Sequence, residues 1–263
     1  MNNDYESYFN TLDVKDLMEC TFGYPDPNDC SWYHSNWMTL RVLGMVSNPF
    51  WHEHFFIEQL KANYVSNDKV LVLGTADFSM PLLCTNVGIT KLDICDLCKT
   101  PLNICRSIAE QNQFEWKTFV ADINEGIDGK YSIIINDAFL SRFNYNEKSK
   151  ILKNIGQALA PGGVYITTIR HDWNCGKPII PTNKQKEDFI QRAMKIADEK
   201  GFDVNLVRNS ASIYINNMIS YPMKDKASIQ QMVEGTMNVE KCSSETVVGE
   251  CMPTEYFQVV FSK

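Results

Sequence analysis

The stretch Lys69-Val-Leu-Val-Leu-Gly74-Thr-Ala-Asp77, with Lys91-Leu-Asp-Ile-Cys-Asp96 further along, decides the fold. Val70 to Leu73 is a continuous apolar run, which is typical of a parallel strand buried on both faces. Gly74 ends this run at a turn. The second apolar run ends in Asp96, and a carboxylate there can accept hydrogen bonds from both hydroxyls of a ribose. The pattern therefore predicts the first half of a nucleoside-binding Rossmann-like unit.

Composition and charge exclude several classes of function. The 263 residues are enough to bury one large core. The net charge of −7 argues against a nucleic-acid partner, which usually requires a basic face. No apolar run approaches the ~20 residues of a membrane span, and the acidic, polar N-terminus does not resemble a signal peptide. We expect a cytoplasmic protein that binds neither nucleic acid nor membrane.

The rest of the chain alternates between strand and helix patterns. Residues 1–66 are predicted to be helical and are rich in aromatic side chains, with no strand signal. A helix is predicted from about 185 to 200, with Thr182 as its cap and Gly201 as its stop. The predicted strands after the second lie at 118–120, 131–135 and 164–169, then at 204–207 or 212–216, and finally at 256–261.

Carboxylates follow three successive strands of this pattern. Asp96, Asp122 and Asp137 come after the second, third and fourth strands. In an open parallel sheet the ligand lies outside the carboxyl ends of the strands, so we expect the three side chains to share one crevice. Each alone could equally be a helix cap or a turn residue.

The pattern over residues 69–170 resembles class I S-adenosylmethionine-dependent methyltransferases. Gly74-Thr75-Ala76-Asp77 matches the family's glycine-rich loop, and Leu159-Ala-Pro-Gly-Gly163 matches its turn before the fifth strand. The resemblance implies a Rossmann-like seven-stranded mostly parallel sheet, with helices on both faces and a helical N-terminal extension. It also implies S-adenosylmethionine as cofactor and S-adenosylhomocysteine as product. The cofactor-binding residues it implies are Gly74, Thr75, Ala76, Asp77, Asp96, Leu97, Asp122, Ile123, Asn136 and Asp137.

The resemblance further implies a methyltransferase that acts on an O or N atom of a small-molecule acceptor. Ala76 and Phe78 stand where the family usually carries further glycines, so an inactive scaffold protein with this fold is an alternative. An NAD-dependent oxidoreductase is another, but it requires a G-x-G-x-x-G turn, which Gly74-Thr-Ala-Asp-Phe-Ser lacks. The oligomeric state and the acceptor are not predicted.

Candidate residues for the chemistry lie outside the glycine-containing turn. A base is needed if the nucleophile is a hydroxyl or a protonated amine, and His171, after the fifth strand, and His34 are the candidates. Three aromatic residues and one arginine are predicted to bind substrate: Trp32, Tyr33, Trp37 and Arg142. We expect an N-terminal extension or lid at 1–66 and a core at 67–263, with substrate-binding insertions near 171–185 and 216–253.

No metal site is predicted. The nine cysteines are spread irregularly and are expected to be free thiols. Cys95-x-x-Cys98 has no second pair, and no histidine lies near it in sequence. His52 and His54 are two residues apart, so their rings diverge on a helix.

Overall fold

A seven-stranded sheet forms the centre of the protein. The computed structural model describes residues 3–20, 30–172, 177–248 and 253–263. The strand order is β3-β2-β1-β4-β5-β7-β6, with β1 to β5 parallel and β7 antiparallel to both of its neighbours. The strands are β1 (Val70–Leu73), β2 (Lys91–Asp96), β3 (Glu115–Val120), β4 (Tyr131–Asn136), β5 (Leu159–His171), β6 (Asn238–Val248) and β7 (Pro253–Ser262).

Alternating side chains of β1 explain why helices cover both faces. Val70 and Val72 belong to one buried cluster, and Leu71 and Leu73 belong to another on the opposite face. The predicted fold class is confirmed. The helices are α1 (Asn3–Phe9), α2 (Ser31–Val42), α3 (Glu53–Asn63), α4 (Ser79–Asn86), α5 (Lys99–Asn112), α6 (Tyr145–Ala158), α7 (Asn183–Lys200), α8 (Val204–Asn217) and α9 (Lys226–Val233).

Local sequence signals determine several helix boundaries. Asn144 and Glu147 form a capping box at the start of α6, and Thr182 and Gln185 form another at the start of α7. The helix α7 ends at Gly201, which has a φ of 75°. The predicted boundaries of α7 are therefore close to those observed.

The N-terminal helices share the core of the sheet. Tyr5 of α1 and Phe56 of α3 are fully buried in the same cluster as Val72. The boundary predicted between residues 66 and 67 therefore does not separate two hydrophobic cores.

The sixth strand was predicted in the wrong place. Residues 204–217 form α8, because Val207, Ala211, Tyr214 and Ile215 recur at helical spacing and are all buried. Asp203 caps this helix by accepting hydrogen bonds from the N–H groups of Asn205 and Leu206. The observed sixth strand lies at Asn238–Val248.

Three helices form a separate layer beside the carboxyl ends of the strands. The helix α8 packs on α2 and α7, and the three bury a cluster that includes Trp37, Leu40, Phe189 and Tyr214. The predicted substrate-binding insertions near 171–185 and 216–253 overlap this layer only at their ends, but residues 179–181 and 216–220 line the cavity described below. The second range also contains α9 and β6, and β6 is an edge strand of the sheet.

Among the described residues, no helix combines the length and the apolar character needed to span a membrane.

Candidate functional site

A cavity of about 1040 Å³ lies at the carboxyl ends of β1, β2 and β4. It is at the upper end of the ~300–1,000 Å³ typical of ligand pockets, so it has room for a cofactor and an acceptor together. Fourteen of the predicted residues line it, so nearly all of the predicted site converges on one cavity. They are Gly74, Thr75, Ala76, Asp96, Leu97, Asp122, Ile123, Asn136, Asp137, Trp32, Tyr33, His34, Trp37 and Arg142.

Gly74 provides a close backbone approach at the end of β1. Its φ is +67°, a conformation that side chains disfavour. A Cβ atom there would lie 2.2 Å from the ring of Phe139, which also lines the cavity. The position therefore requires glycine for both conformation and space.

Asp77 is a structural residue and does not line the cavity, contrary to the sequence prediction. It is fully buried, and its Oδ1 atom lies 2.7 Å from the Arg41 guanidinium of α2. Its Oδ2 atom accepts a hydrogen bond of 2.9 Å from the Tyr5 hydroxyl of α1. The backbone N–H of Ser79 donates to Oδ1 at the start of α4. The carboxylate thus joins three helices. Binding a ligand through it would break a buried ion pair, which costs several kcal/mol.

Phe78 points away from the cavity. Its ring is fully buried and stacks on Tyr5, with centroids 4.7 Å apart and planes inclined by 20°. Tyr8 makes an edge contact with the same ring. Phe78, at a position where the family usually has glycine, therefore packs in the core against α1 and does not narrow the cavity.

Asp96 ends β2 at the cavity wall. Its Oδ1 atom accepts a hydrogen bond of 2.7 Å from the backbone N–H of Cys98, which fixes the carboxylate. Burial raises the pKa of Asp96 to about 7, and the Cys98 N–H acts in the opposite direction. Leu97, beside it, is 47% exposed.

Asp122 and Ile123 follow β3. The Oδ1 atom of Asp122 accepts two hydrogen bonds from Asn124, of 2.8 and 3.1 Å, in a local turn. The Ile123 side chain is buried against the sheet and contributes an apolar surface to the cavity.

Asn136 ends β4 and Asp137 follows it, and the two side chains differ in whether all their polar atoms have hydrogen-bond partners. Thr167 and Tyr165 donate to Asn136 Oδ1 at 2.6 and 3.1 Å. Asn136 Nδ2 is buried and has no acceptor among the residues described. Asp137 accepts hydrogen bonds from Ser47 and Thr168, at 2.9 and 2.5 Å. One unsatisfied donor therefore lies in a residue of the cavity wall.

An aromatic wall, formed by Trp32, Tyr33, Trp37 and Tyr214, faces these strand ends. Tyr33 stacks on Trp37 with centroids 4.5 Å apart, and Tyr214 lies 5.9 Å from Trp37. The Arg142 guanidinium lies 5.2 Å from the Tyr33 ring centroid and 5.7 Å from that of Trp32. Burial raises the pKa of Tyr33 above its ordinary value, so its phenol stays neutral.

Sequence reasoning missed several residues of the cavity wall. Tyr214 went unnoticed because its segment was assigned to a strand, although the helical spacing of 207, 211, 214 and 215 was a usable signal. Phe139 and Ser47 lie in short connections with no recognisable pattern.

The two predicted catalytic histidines are engaged by other groups. His171 does not line the cavity, and its position there was wrongly predicted. Its Nε2 atom lies 2.9 Å from the Lys224 carbonyl oxygen, and its Nδ1 atom lies 3.0 Å from Glu255 Oε2. These contacts join the ring, which belongs to β5, to β7 and to the segment before α9. His34 does line the cavity, but its Nδ1 atom lies 3.4 Å from the sulfur of Cys20.

Three cysteines surround His34, and together the four side chains are potential metal ligands in a place where the sequence did not predict a metal site. The ligand atoms of Cys20, Cys30, His34 and Cys98 all lie within 4.8 Å of one another. Cys95 is buried elsewhere, in the core, so Cys95-x-x-Cys98 is not the relevant pair. The cluster combines residues that are distant in sequence, which is why spacing alone did not indicate it.

Comparison with solved structures identifies the fold. An S-adenosylmethionine-dependent methyltransferase from Methanosarcina mazei aligns with a TM-score of 0.53 and 12% identity, over 78% of this chain and 96% of that one. One from Mesorhizobium loti aligns with a TM-score of 0.52 and 12% identity, over the same shares. Magnesium protoporphyrin IX methyltransferase from Synechocystis, solved with bound S-adenosylhomocysteine, aligns with a TM-score of 0.51 and 10% identity, over 100% and 95%.

This chain has the class I S-adenosylmethionine-dependent methyltransferase fold. At such identities the likeness establishes the fold alone. The antiparallel β7 between β5 and β6 also differs from the 3-2-1-4-5-6 strand order of the dinucleotide-binding fold. No protein-family model and no curated protein matches the sequence.

Proposed function

We propose that the protein transfers a methyl group from S-adenosylmethionine to an O or N atom of a small-molecule acceptor. The observation that carries this proposal is the convergence of Gly74, Asp96, Asp122 and Asn136 on one cavity at the strand ends. The methyltransferase fold of the chain supports the same conclusion.

The residues at the strand ends fit an adenosine-containing cofactor. Gly74 lines the cavity at the turn after β1, and Asp96 offers a carboxylate to a ribose. Asp122 Oδ2 makes no hydrogen bond within the described chain and would accept one from the adenine amino group, with Ile123 beside the ring. The buried Nδ2 of Asn136 would gain an acceptor from the methionine part of the cofactor.

The aromatic wall favours a planar acceptor. Trp32, Tyr33 and Trp37 contribute aromatic rings to the cavity lining, and such rings also suit a cationic sulfonium nearby. Arg142 has no carboxylate partner among the described residues, so an acceptor with an anionic group would complement it.

The chemistry asks mainly for positioning. When bound, the cofactor supplies an electrophilic methyl group. The protein must hold the acceptor atom in line with that methyl and exclude water, and such positioning can supply ~7–11 kcal/mol of the barrier reduction. The layer of α2, α7 and α8 beside the cavity provides the walls for both tasks.

Calorimetric titration tests the cofactor. We expect S-adenosylmethionine and S-adenosylhomocysteine to bind with Kd values of about 1–100 μM, and NAD not to bind. At about pH 8, above the Asp96 pKa of about 7, Asp96→Asn should weaken both by about tenfold or more, because the ribose loses a charged acceptor.

Asp93→Asn is the matched control, since it makes the same change on the same strand. Asp93 does not line the cavity and pairs with Lys69 near the surface, so its cofactor affinity should equal that of the wild type. A folded wild-type protein that binds neither sulfur nucleoside would rule out the enzyme and leave the scaffold alternative.

A further inference from the structure

The cysteine–histidine cluster beside the cavity has the composition of a known metal centre. Three thiols and one imidazole form the Cys₃His donor set of structural zinc sites. The sulfurs of Cys30 and Cys98 lie 3.6 Å apart, and those of Cys98 and Cys20 lie 3.8 Å apart. The Nδ1 atom of His34 lies 3.4 Å from Cys20 Sγ.

These three separations match those between ligands of a tetrahedrally coordinated ion, and the other pairs of ligand atoms lie within 4.8 Å of each other. Thiolates bound at ~2.3 Å in a tetrahedron lie about 3.8 Å from one another, and a sulfur and an imidazole nitrogen lie about 3.6 Å apart. A disulfide would instead require the two sulfurs at ~2.05 Å. We propose that Cys20, Cys30, His34 and Cys98 bind one zinc ion.

Thr100 contacts one of the four proposed ligands without being a ligand itself. Its hydroxyl oxygen accepts a hydrogen bond of 2.8 Å from the backbone N–H of Glu19. The hydroxyl hydrogen is then available to Cys20 Sγ, which lies 3.1 Å away. A buried hydroxyl that donates to a sulfur stabilises a thiolate, which is the ligand form that zinc requires.

The four ligands come from three separate parts of the chain. Cys20 lies in the N-terminal segment, Cys30 and His34 lie at the start of α2, and Cys98 lies between β2 and α5. One ion would therefore hold the N-terminal segment and α2 against the end of β2, two residues from Asp96. Because all four positions are protein ligands, we assign the ion a structural role.

Thiolate-rich tetrahedral donors also select the metal. They favour zinc over magnesium or calcium, which require oxygen ligands. Binding releases the thiol protons to solvent. The inference does not depend on methyl transfer, since a scaffold with this fold would contain the same four residues.

Metal analysis of the full chain tests the site. Protein purified under reducing conditions without chelator, and given Zn²⁺, should contain about one zinc ion per chain by mass spectrometry. Cys98→Ser and His34→Ala should lower the zinc content by about tenfold. Substituted Co²⁺ should give the visible absorption of a tetrahedral thiolate complex.

Cys242→Ser is the matched control. This cysteine lies on the edge strand β6, away from the cluster, and its loss should leave the zinc content unchanged. His34→Cys is a second test at this position. A fourth thiolate should bind zinc, so this variant should keep the zinc content that His34→Ala loses. If a serine variant does not fold, the wild-type zinc content and cobalt spectrum still decide the question.

Three results would overturn the proposal. One is a folded, reduced wild-type protein that takes up no Zn²⁺. Another is a zinc content that is equal in the wild type, Cys98→Ser and His34→Ala. The third is a Cys30–Cys98 disulfide found by peptide mapping of samples kept in reducing buffer.

Discussion

Asp77 shows how one buried carboxylate connects the N-terminal helices to the sheet. It contacts Tyr5, Arg41 and Ser79, which belong to three different helices. Removing one partner of a buried ion pair leaves the other charge uncompensated. Asp77, in the turn after β1, therefore stabilises the fold. Gly74 and Thr75 of the same turn line the cavity.

We expect Asp77→Asn to lower the free energy of unfolding by about 3–5 kcal/mol, because Arg41 loses its buried counter-charge. Urea denaturation measures this loss. Asp188→Asn removes a surface pair with Lys184 and should cost less than about 1 kcal/mol. Equal costs for the two variants would contradict the role of Asp77.

Phe78→Ala separates packing from binding. The ring stacks on Tyr5 and does not line the cavity, so its removal should cost about 3–5 kcal/mol of stability. Affinity for S-adenosylhomocysteine should stay within about twofold of the wild type, measured by calorimetry where both are folded. A large gain in affinity would mean that Phe78 blocks the site.

At the residue scale, the sequence indicated the strand-end acids but not their environments. Asp96, Asp122 and Asp137 do share one cavity, because parallel strands end at the same edge. Asp77 lies in the turn after β1 and His171 ends β5, but their side chains contact residues of α1, α2 and β7 rather than the cavity. The zinc ligands were not detectable either, because only the folded chain brings Cys20 and Cys98 together.

At the scale of elements, α8 determines the shape of the aromatic wall. It supplies Tyr214 and lies between α2 and α7. Its β-branched and aromatic content suggested a strand, but burial at helical spacing and the Asp203 cap outweigh that preference. In contrast, α7 was predictable because its cap, periodicity and stop agree.

The cap of α8 gives a prediction at this scale. Asp203→Ala should lower the free energy of unfolding by about 1 kcal/mol, because two N–H groups lose their acceptor. Thermal and urea unfolding measure the change. Asp203→Asn should retain most of the stability, since asparagine caps helices about as well as aspartate. A similar loss in both variants would show that the cap is not the cause.

At the scale of the whole molecule, the cavity is lined by elements that lie far apart in the sequence. Its walls come from α2, the strand ends and α8, so a bound ligand links all three. A ligand that binds only the folded state stabilises it by ~2.7 kcal/mol at a concentration of 100 Kd. We therefore expect S-adenosylhomocysteine to raise Tm, as measured by differential scanning calorimetry. NAD at the same concentration should not shift it. For Asp96→Asn the rise in Tm with S-adenosylhomocysteine should be about half as large or less, because a tenfold weaker affinity leaves ~1.4 kcal/mol of stabilisation at that concentration.

The position of β7 has a consequence for synthesis on the ribosome. It pairs with β5 on one side and β6 on the other, although it is translated after both. Until it emerges, the nascent protein presents the unpaired edge of β5, with apolar residues Val164 and Ile166, to other chains. β7, made after the other described strands, is thus the one that closes an edge prone to aggregation. We therefore expect premature release before Pro253 to yield insoluble product and a demand for chaperones.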